Sequence, residues 1–222
     1  MSQQPQSQSA RVTGIDVSHY QGSIEWAQVK NAGVGFAFAK ATEGAGDVDP
    51  LFASHWNLMK EVGLVRGAYH FFHASQDAVA QANHFTQTVR LEAGDLPPVI
   101  DLELNDGVGN SQLVAGVRAW LETVEAATNR TPIIYTMSSF WNAHMTNEFG
   151  GYPLWIAHYN VEPQPLPSGW TNWTFWQYSQ SLAISGVHGN VDHDYFNGSA
   201  AALQTFIAQS VKSAAPSGSS PA

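Results

Sequence analysis

Residues 98–104 read Pro98-Val99-Ile100-Asp101-Leu102-Glu103-Leu104. Two acids sit two residues apart inside an otherwise apolar run. The run reads as a strand. On a strand, side chains two apart share a face, with Cα atoms about 6.5 Å apart. Asp101 and Glu103 therefore point the same way, while Ile100, Leu102 and Leu104 face helices. Two carboxyls this close do not both ionise freely, so one is expected to rise in pKa. A general acid working near neutral pH needs that property. The pair would otherwise cap helices or bind backbone amides. Asp-x-Glu is a common tripeptide, and its placement in a strand supplies the information.

On either side of this run, short apolar segments alternate with longer periodic ones. Strands are expected at Thr13–Ser18, Gly35–Thr42, Val65–Phe72, Pro98–Leu104 and Ile133–Met137. Helices are expected at Glu25–Asn31, Pro50–Val62, Gln76–Leu91 (capped by Ser75), Gln112–Ala127 (capped by Ser111) and Ser139–Met145. Five strand–helix pairs in succession predict a parallel sheet with right-handed crossovers. The rhythm then changes. Leu154–Tyr159, Thr174–Ser179 and a weak run near Ile184–His188 read as strands with no full helix between them, and a last helix covers about Ala200–Val211. The fold class is α/β: an irregular TIM-like barrel of five βα units followed by three strands with few helices. An open doubly wound sheet is the alternative, but no G-x-G-x-x-G follows the first strand. One catalytic barrel is expected over residues 12–212. It is flanked by a flexible N-terminal tail (1–11) and a C-terminal tail or linker stub (213–222).

Composition narrows the function. The chain has 222 residues, 44% hydrophobic and only 12% charged, enough apolar content for a sizeable core. Nine Lys+Arg against 18 Asp+Glu give −9 at pH 7, which argues against a nucleic-acid partner. Cysteine is absent, which excludes disulfides, thiolate catalysis and thiolate-held metals. No apolar run approaches the roughly 20 residues that cross a bilayer. Met1 to Ala10 lacks the hydrophobic stretch of a secretory signal. A metal site from the string His188 to Asp194 is conceivable on residue types, but no metal or cofactor is expected. Neither H-E-x-x-H, G-x-S-x-G nor a phosphate-cradling loop occurs.

In a β/α barrel, chemistry sits at the C-terminal ends of the strands. Asp16 lies near the end of the first strand, Glu43 follows the second, and Asp192 and Asp194 follow the last weak one. Singly, each acid is as compatible with a turn, a cap or a solvated loop. Tyr20, Gln21, Tyr69, Tyr135, Trp155, Tyr159, Trp176 and Gln177 fall near the same ends. Together with the acids they describe a glycan cleft, with rings for sugar faces and amides for sugar hydroxyls.

These residues resemble a known family. Gly14-Ile-Asp16-Val-Ser18-His19-Tyr20-Gln21-Gly22 is similar to the opening of glycoside hydrolase family 25, the Chalaropsis-type lysozymes. The likeness continues through Phe38-Ala-Lys40-Ala-Thr42-Glu43-Gly44, Gly67-Ala-Tyr69-His70-Phe71, Ile100-Asp101-Leu-Glu103 and Ile134-Tyr135-Thr136. Leu154-Trp155-Ile-Ala157, Trp176-Gln177-Tyr178-Ser179 and Gly189-Asn-Val-Asp192 complete it, covering about residues 12–208. The segment VDHDYF departs mildly, standing where the family often has Asp, an apolar residue and Asn.

The resemblance implies an irregular β/α barrel that hydrolyses the β-1,4 bond between N-acetylmuramic acid and N-acetylglucosamine in peptidoglycan. It implies Glu103 as general acid, Asp101 as its assistant, and Asp16 and Asp192 completing the acidic mouth. Tyr69, Tyr135, Trp155, Gln177 and Glu43 are expected against substrate. Glycan strands are the expected partner, with no nucleic acid and no membrane, and a monomer is the default. Action is expected on the bacterial wall, outside the cell or in the periplasm, with export by a holin or a dedicated machine. Nine histidines would cancel the net charge if all were protonated, so binding or turnover is expected to improve below about pH 6. A glycan-binding barrel without catalysis, a chitinase-like enzyme and a metal hydrolase are the rival readings. The D-x-x-D-x-D-x-E string of chitinases is absent.

Overall fold

The computed structural model describes residues 11–212. The expected tails lie outside the described residues, apart from Arg11. Its guanidinium pairs with Glu162 at 2.7 Å and lies 4.9 Å from the centre of the Trp173 ring.

Nine strands and six α-helices follow in chain order: β1 (Val12–Val17), α1 (Trp26–Asn31), β2 (Phe36–Glu43), β3 (Asp47–Val48), α2 (Phe52–Glu61), β4 (Val65–Phe71) and α3 (Ala78–Thr88). Then come β5 (Val99–Leu102), α4 (Asn110–Thr128), β6 (Ile133–Met137), α5 (Ser138–His144), β7 (Leu154–Ala157), β8 (Phe175–Ala183), β9 (Asn190–Phe196) and α6 (Ala200–Ser210). The strand order β1-β2-β4-β5-β6-β7-β8-β9 returns to β1 and closes an eight-stranded barrel. All neighbours in it are parallel except at β9, which runs antiparallel to both β8 and β1. The two-residue β3 lies against the end of β2 as a hairpin edge.

The alternation of Phe36-Ala-Phe38-Ala-Lys40 on β2 explains the two cores. Phe36 and Phe38 enter the barrel with Val99, Ile133, Tyr135, Trp155 and Phe175. Ala37 and Ala39 turn outward and join Ile100, Leu102 and Ile134 beneath the helices, the period-2 rule of strands at work. Phe38 stacks on Trp155 with ring centres 4.3 Å apart. Leu203 and Ile207 of α6 join the inner cluster. The interior is therefore packed, and the chemistry expected of such a barrel belongs at its C-terminal mouth.

Four expectations need correction. The eighth strand is Asn190–Phe196, not Ile184–His188, whose residues lie in the connection from β8. α3 is capped by Asp77, which accepts from the Ala80 N–H at 2.8 Å; Ser75 instead donates its N–H to Asp106 at 3.3 Å. α4 begins at Asn110 after Gly109 with no side-chain cap, so Ser111 is already inside the helix. Leu104 does not pack on the helices either. The strand ends at Leu102, and Leu104 is 47% exposed.

Candidate active site

The strand ends bring the acids together. Asp16 is the second-to-last residue of β1, and Asp192 is its direct partner on β9. Asp101 lies on β5 with Glu103 just past the strand end. All four line one cleft of about 220 Å³, with Tyr69, Tyr135, Trp155, Gln177, Tyr20 and Lys40 among its other walls.

Hydrogen bonds fix the wall opposite β5. The Gln177 amide donates to Asp16 Oδ2 at 2.8 Å, and its Oε1 accepts from the Tyr135 and Tyr159 hydroxyls at 2.9 and 3.1 Å. Trp155 Nε1 donates to Asp194 Oδ1 at 2.8 Å. Asp101 Oδ1 and Asp194 Oδ2 are buried without a hydrogen-bond partner. An unpaired buried oxygen disfavours charge and favours a proton.

The electrostatics follow from this crowding. Burial raises Asp16 well above the ordinary carboxylate range, and the charges of Asp194 and Asp192 add to it. Burial and the neighbouring Glu103 raise Asp101 well above that range as well. Glu103 is raised by burial, against the lowering pull of Asp101 and Lys40. Asp192 is pushed up to about 6, again chiefly by burial. Burial also pushes the Tyr69 and Tyr135 phenols up, so both stay hydroxyl donors. Carboxyls raised in this way can give and retake a proton near neutral pH.

An acidic, aromatic cleft at the C-terminal mouth of a β/α barrel is one half of the identification, and comparison with known proteins supplies the other. Residues 15–187 match the family described as Glycosyl hydrolases family 25. The chain belongs to that family. It is 40% identical over 206 residues to Lysozyme M1 of Streptomyces globisporus, covering 86% of this chain and 70% of that one. It is 33% identical over 203 residues to an N,O-diacetylmuramidase of Chalaropsis sp, covering 82% and 96%. Among solved structures, a bacterial lysozyme from Streptomyces coelicolor superposes with a TM-score of 0.86 at 38% identity, covering 90% of this chain and 99% of that one. The resemblance read from the motifs and the barrel fold are both confirmed, and this family 25 chain is a glycoside hydrolase.

The structure also shows what the sequence reading placed differently. Glu43, expected against substrate, lines no part of the cleft. Its Oε2 accepts from Lys40 Nζ at 2.6 Å, and its Oε1 meets His73 Nε2 at 3.0 Å. Asp194, read as loop, is fully buried in β9 on the same face as Asp192. The spacing Asp192-x-Asp194 repeats that of Asp101-x-Glu103, and this was the available signal. Lys40, which its residue type alone did not single out, is the one cation among the cleft's lining residues. Among the described residues, no group of three or more His, Asp or Glu side chains is set to hold a metal ion.

Proposed function

We propose that this family 25 hydrolase is a lysozyme of the muramidase kind, cutting the β-1,4 bond from N-acetylmuramic acid to N-acetylglucosamine in peptidoglycan. The supporting observation is the Asp101–Glu103 pair, Asp101 buried on β5 and Glu103 half-buried just past its end, sharing an aromatic cleft with Asp16 and Asp192. The relatives named as lysozymes and muramidases support the same reading. The enzyme acts alone, as a monomer, on glycan strands of the bacterial wall outside the cell or in the periplasm. One barrel over residues 12–212 carries the activity.

Glu103 is the general acid. Partial burial raises its pKa and favours its proton, which it delivers to the leaving glycosidic oxygen. Asp101 and Glu103 come from one strand end, so they do not straddle the bond as an ordinary pair of carboxylates does. The substrate's own 2-acetamido oxygen attacks C1 instead. Asp101 orients the acetamido N–H and stabilises the cationic oxazolinium. That cation favours the ionised form of Asp101 at the moment it is needed. Glu103, now a carboxylate, takes a proton from water as the water opens the ring. The β configuration is retained. Tyr135, Gln177 and Asp16 form a hydrogen-bonded wall that holds the sugar in register.

Digestion of purified peptidoglycan, with mass spectrometry of the released ends, tests the bond. Wild type is expected to leave reducing N-acetylmuramic acid, and Glu103→Gln to lose about 10²–10⁴-fold or more in rate. Reducing N-acetylglucosamine ends would mean the other bond is cut. Protein that pellets with the wall and releases nothing would make the barrel a binding module. Early proton NMR of a turnover reports the anomer, and an α product rules out the acetamido route.

A further inference from the structure

Lys40 lines the cleft in company with four carboxyl groups. Its side chain is 13% exposed, with Nζ 5.0 Å from the centre of the Phe71 ring. A half-dry cavity with four acids and one ammonium is electrostatically lopsided, and in such a place one cation matters far more than it would in water.

The ammonium is also held. Glu43, three residues further along β2 and past the register irregularity between Lys40 and Thr42, binds it at 2.6 Å. Glu43 is fixed from behind by His73 at 3.0 Å, and His73 Nδ1 meets Asp106 Oδ2 at 3.3 Å. The backbone of His73 is pinned by the fully buried Gln81 of α3. The His73 N–H donates to Gln81 Oε1 at 2.9 Å, and Gln81 Nε2 donates to the His73 carbonyl at 2.8 Å. Asp106 stands at φ 47°, a left-handed conformation that a non-glycine residue adopts only where its surroundings hold it. Side chains from β2, the β4–α3 loop and the β5–α4 loop thus build one chain of charges ending at Lys40. None of Glu43, His73 or Asp106 lines the cleft.

We infer that Lys40 is a positioning residue of the reaction, anchored by Glu43 and His73 so that its ammonium holds the Asp101–Glu103 pair in its working protonation range. The titratable groups that share the cleft with it are Asp101 on β5 and Glu103 just past its end, Tyr69 on the neighbouring strand β4, Asp16 on the other neighbour β1, Asp192 on β9, and Tyr20 and Tyr135; Glu43 lies on its own strand. His73 and Asp106 stand behind Glu43. The ammonium opposes the rise of both Asp101 and Glu103. The negative charge of Glu43 acts on Asp101 in the opposite sense. Glu43 therefore does two things: it keeps the ammonium from collapsing onto the acid pair, and it tempers the ammonium's field.

The inference rests on Asp101 and Glu103 being the reacting pair, and its test separates the two. The pH dependence of kcat/KM on solubilised peptidoglycan is measured for wild type, Lys40→Met, Lys40→Arg and Glu43→Gln, with Glu103→Gln as control. Removing the cation lets both carboxyls rise. Both limbs of the Lys40→Met profile are then expected to move to higher pH by about one unit. Lys40→Arg keeps the charge and is expected to stay within a few tenths of wild type. Glu43→Gln removes a negative charge and frees the ammonium to turn toward the pair, so its limbs are expected to move to lower pH. Opposite displacements by the two partners of one ion pair are not what a merely structural bridge produces. If Lys40→Met is folded but too slow to profile, NMR titration of its side-chain carboxyls reads the same upward displacement. If it does not fold, the sign of the Glu43→Gln displacement decides alone. An unmoved Lys40→Met profile, or a Glu43→Gln profile displaced upward, overturns the inference. An active Glu103→Gln overturns the reading beneath it.

Discussion

Asp194 illustrates how one residue can serve a site at the expense of the fold. Its Oδ1 accepts from Trp155, its Oδ2 has no partner, and burial holds its pKa well above the ordinary carboxylate value. Below pH 3.8 both the folded and the unfolded chain carry the proton, so nothing is lost. As pH rises past 3.8 the unfolded chain ionises while the folded one keeps its proton, and stability falls until pH reaches the folded pKa. Asn at this position has no such dependence. Its Oδ1 can still accept from Trp155, and its amide carries no charge to desolvate. Asp194→Asn is expected to be more stable than wild type at pH 7–8, with the gap closing toward pH 4. Each pKa unit removed is about 1.4 kcal/mol, and each kcal/mol raises Tm by about 2–4 °C at this chain length. Thermal melts across pH check this, and a variant less stable than wild type at pH 8 would contradict it.

At the scale of the strand, the positions of Gly14 and Gly67 explain how the aromatic core closes. Gly14 of β1 pairs with Phe36, and Gly67 of β4 pairs with Phe38. A Cβ on Gly14 would stand 2.2 Å from the Phe36 ring, and one on Gly67 would stand 2.3 Å from the Phe38 ring. Each ring of β2 thus lies across a neighbouring strand where no side chain can be. Gly67→Ala is expected to cost about 1–3 kcal/mol by overpacking. Phe38 stacks on Trp155, which orients Asp194, so activity is expected to fall with stability. Melting and peptidoglycan turnover measured on one sample check both. An unchanged Tm would show that the ring has room to move.

The same alternation decides what the sequence could show. On β2 and β5, apolar residues mark one face clearly, so both strands and the placement of Asp101 and Glu103 were legible. On β9 the inward face carries Asp192 and Asp194 and the outward face carries Val191 and His193. With polar residues on both faces, the hydrophobic period vanishes and the segment reads as loop. The caps failed for a related reason. Ser75 is a good cap by type, but a tertiary contact with Asp106 takes it, and Asp77 is left to start α3. Glu43 could not be separated from a substrate contact by sequence, because only the folded β4–α3 loop brings His73 behind it.

For the whole molecule, charge is the quantity that matters. The expectation that nine protonated histidines would cancel −9 does not survive the fold. His70 is buried against Trp120 and is lowered to about 3, and burial also lowers His55 and His193. Three histidines thus resist protonation, so the nine cannot together cancel the formal charge of −9. Protons kept on the buried Asp16, Asp101 and Asp194 would not reverse the sign at pH 7. An anionic enzyme that meets a largely anionic wall is expected to be slowed in its approach by long-range forces, and to bind through the aromatic cleft at short range. Salt separates these two contributions. The Debye length shrinks from about 30 Å at 0.01 M to about 8 Å at 0.15 M, which screens approach but not stacking or hydrogen bonding inside the cleft. At pH 7–8, turnover of intact wall is expected to rise over this range while hydrolysis of a short soluble glycan stays nearly flat. A monotonic fall on intact wall would show that attraction, from a basic patch the net charge conceals, dominates the encounter.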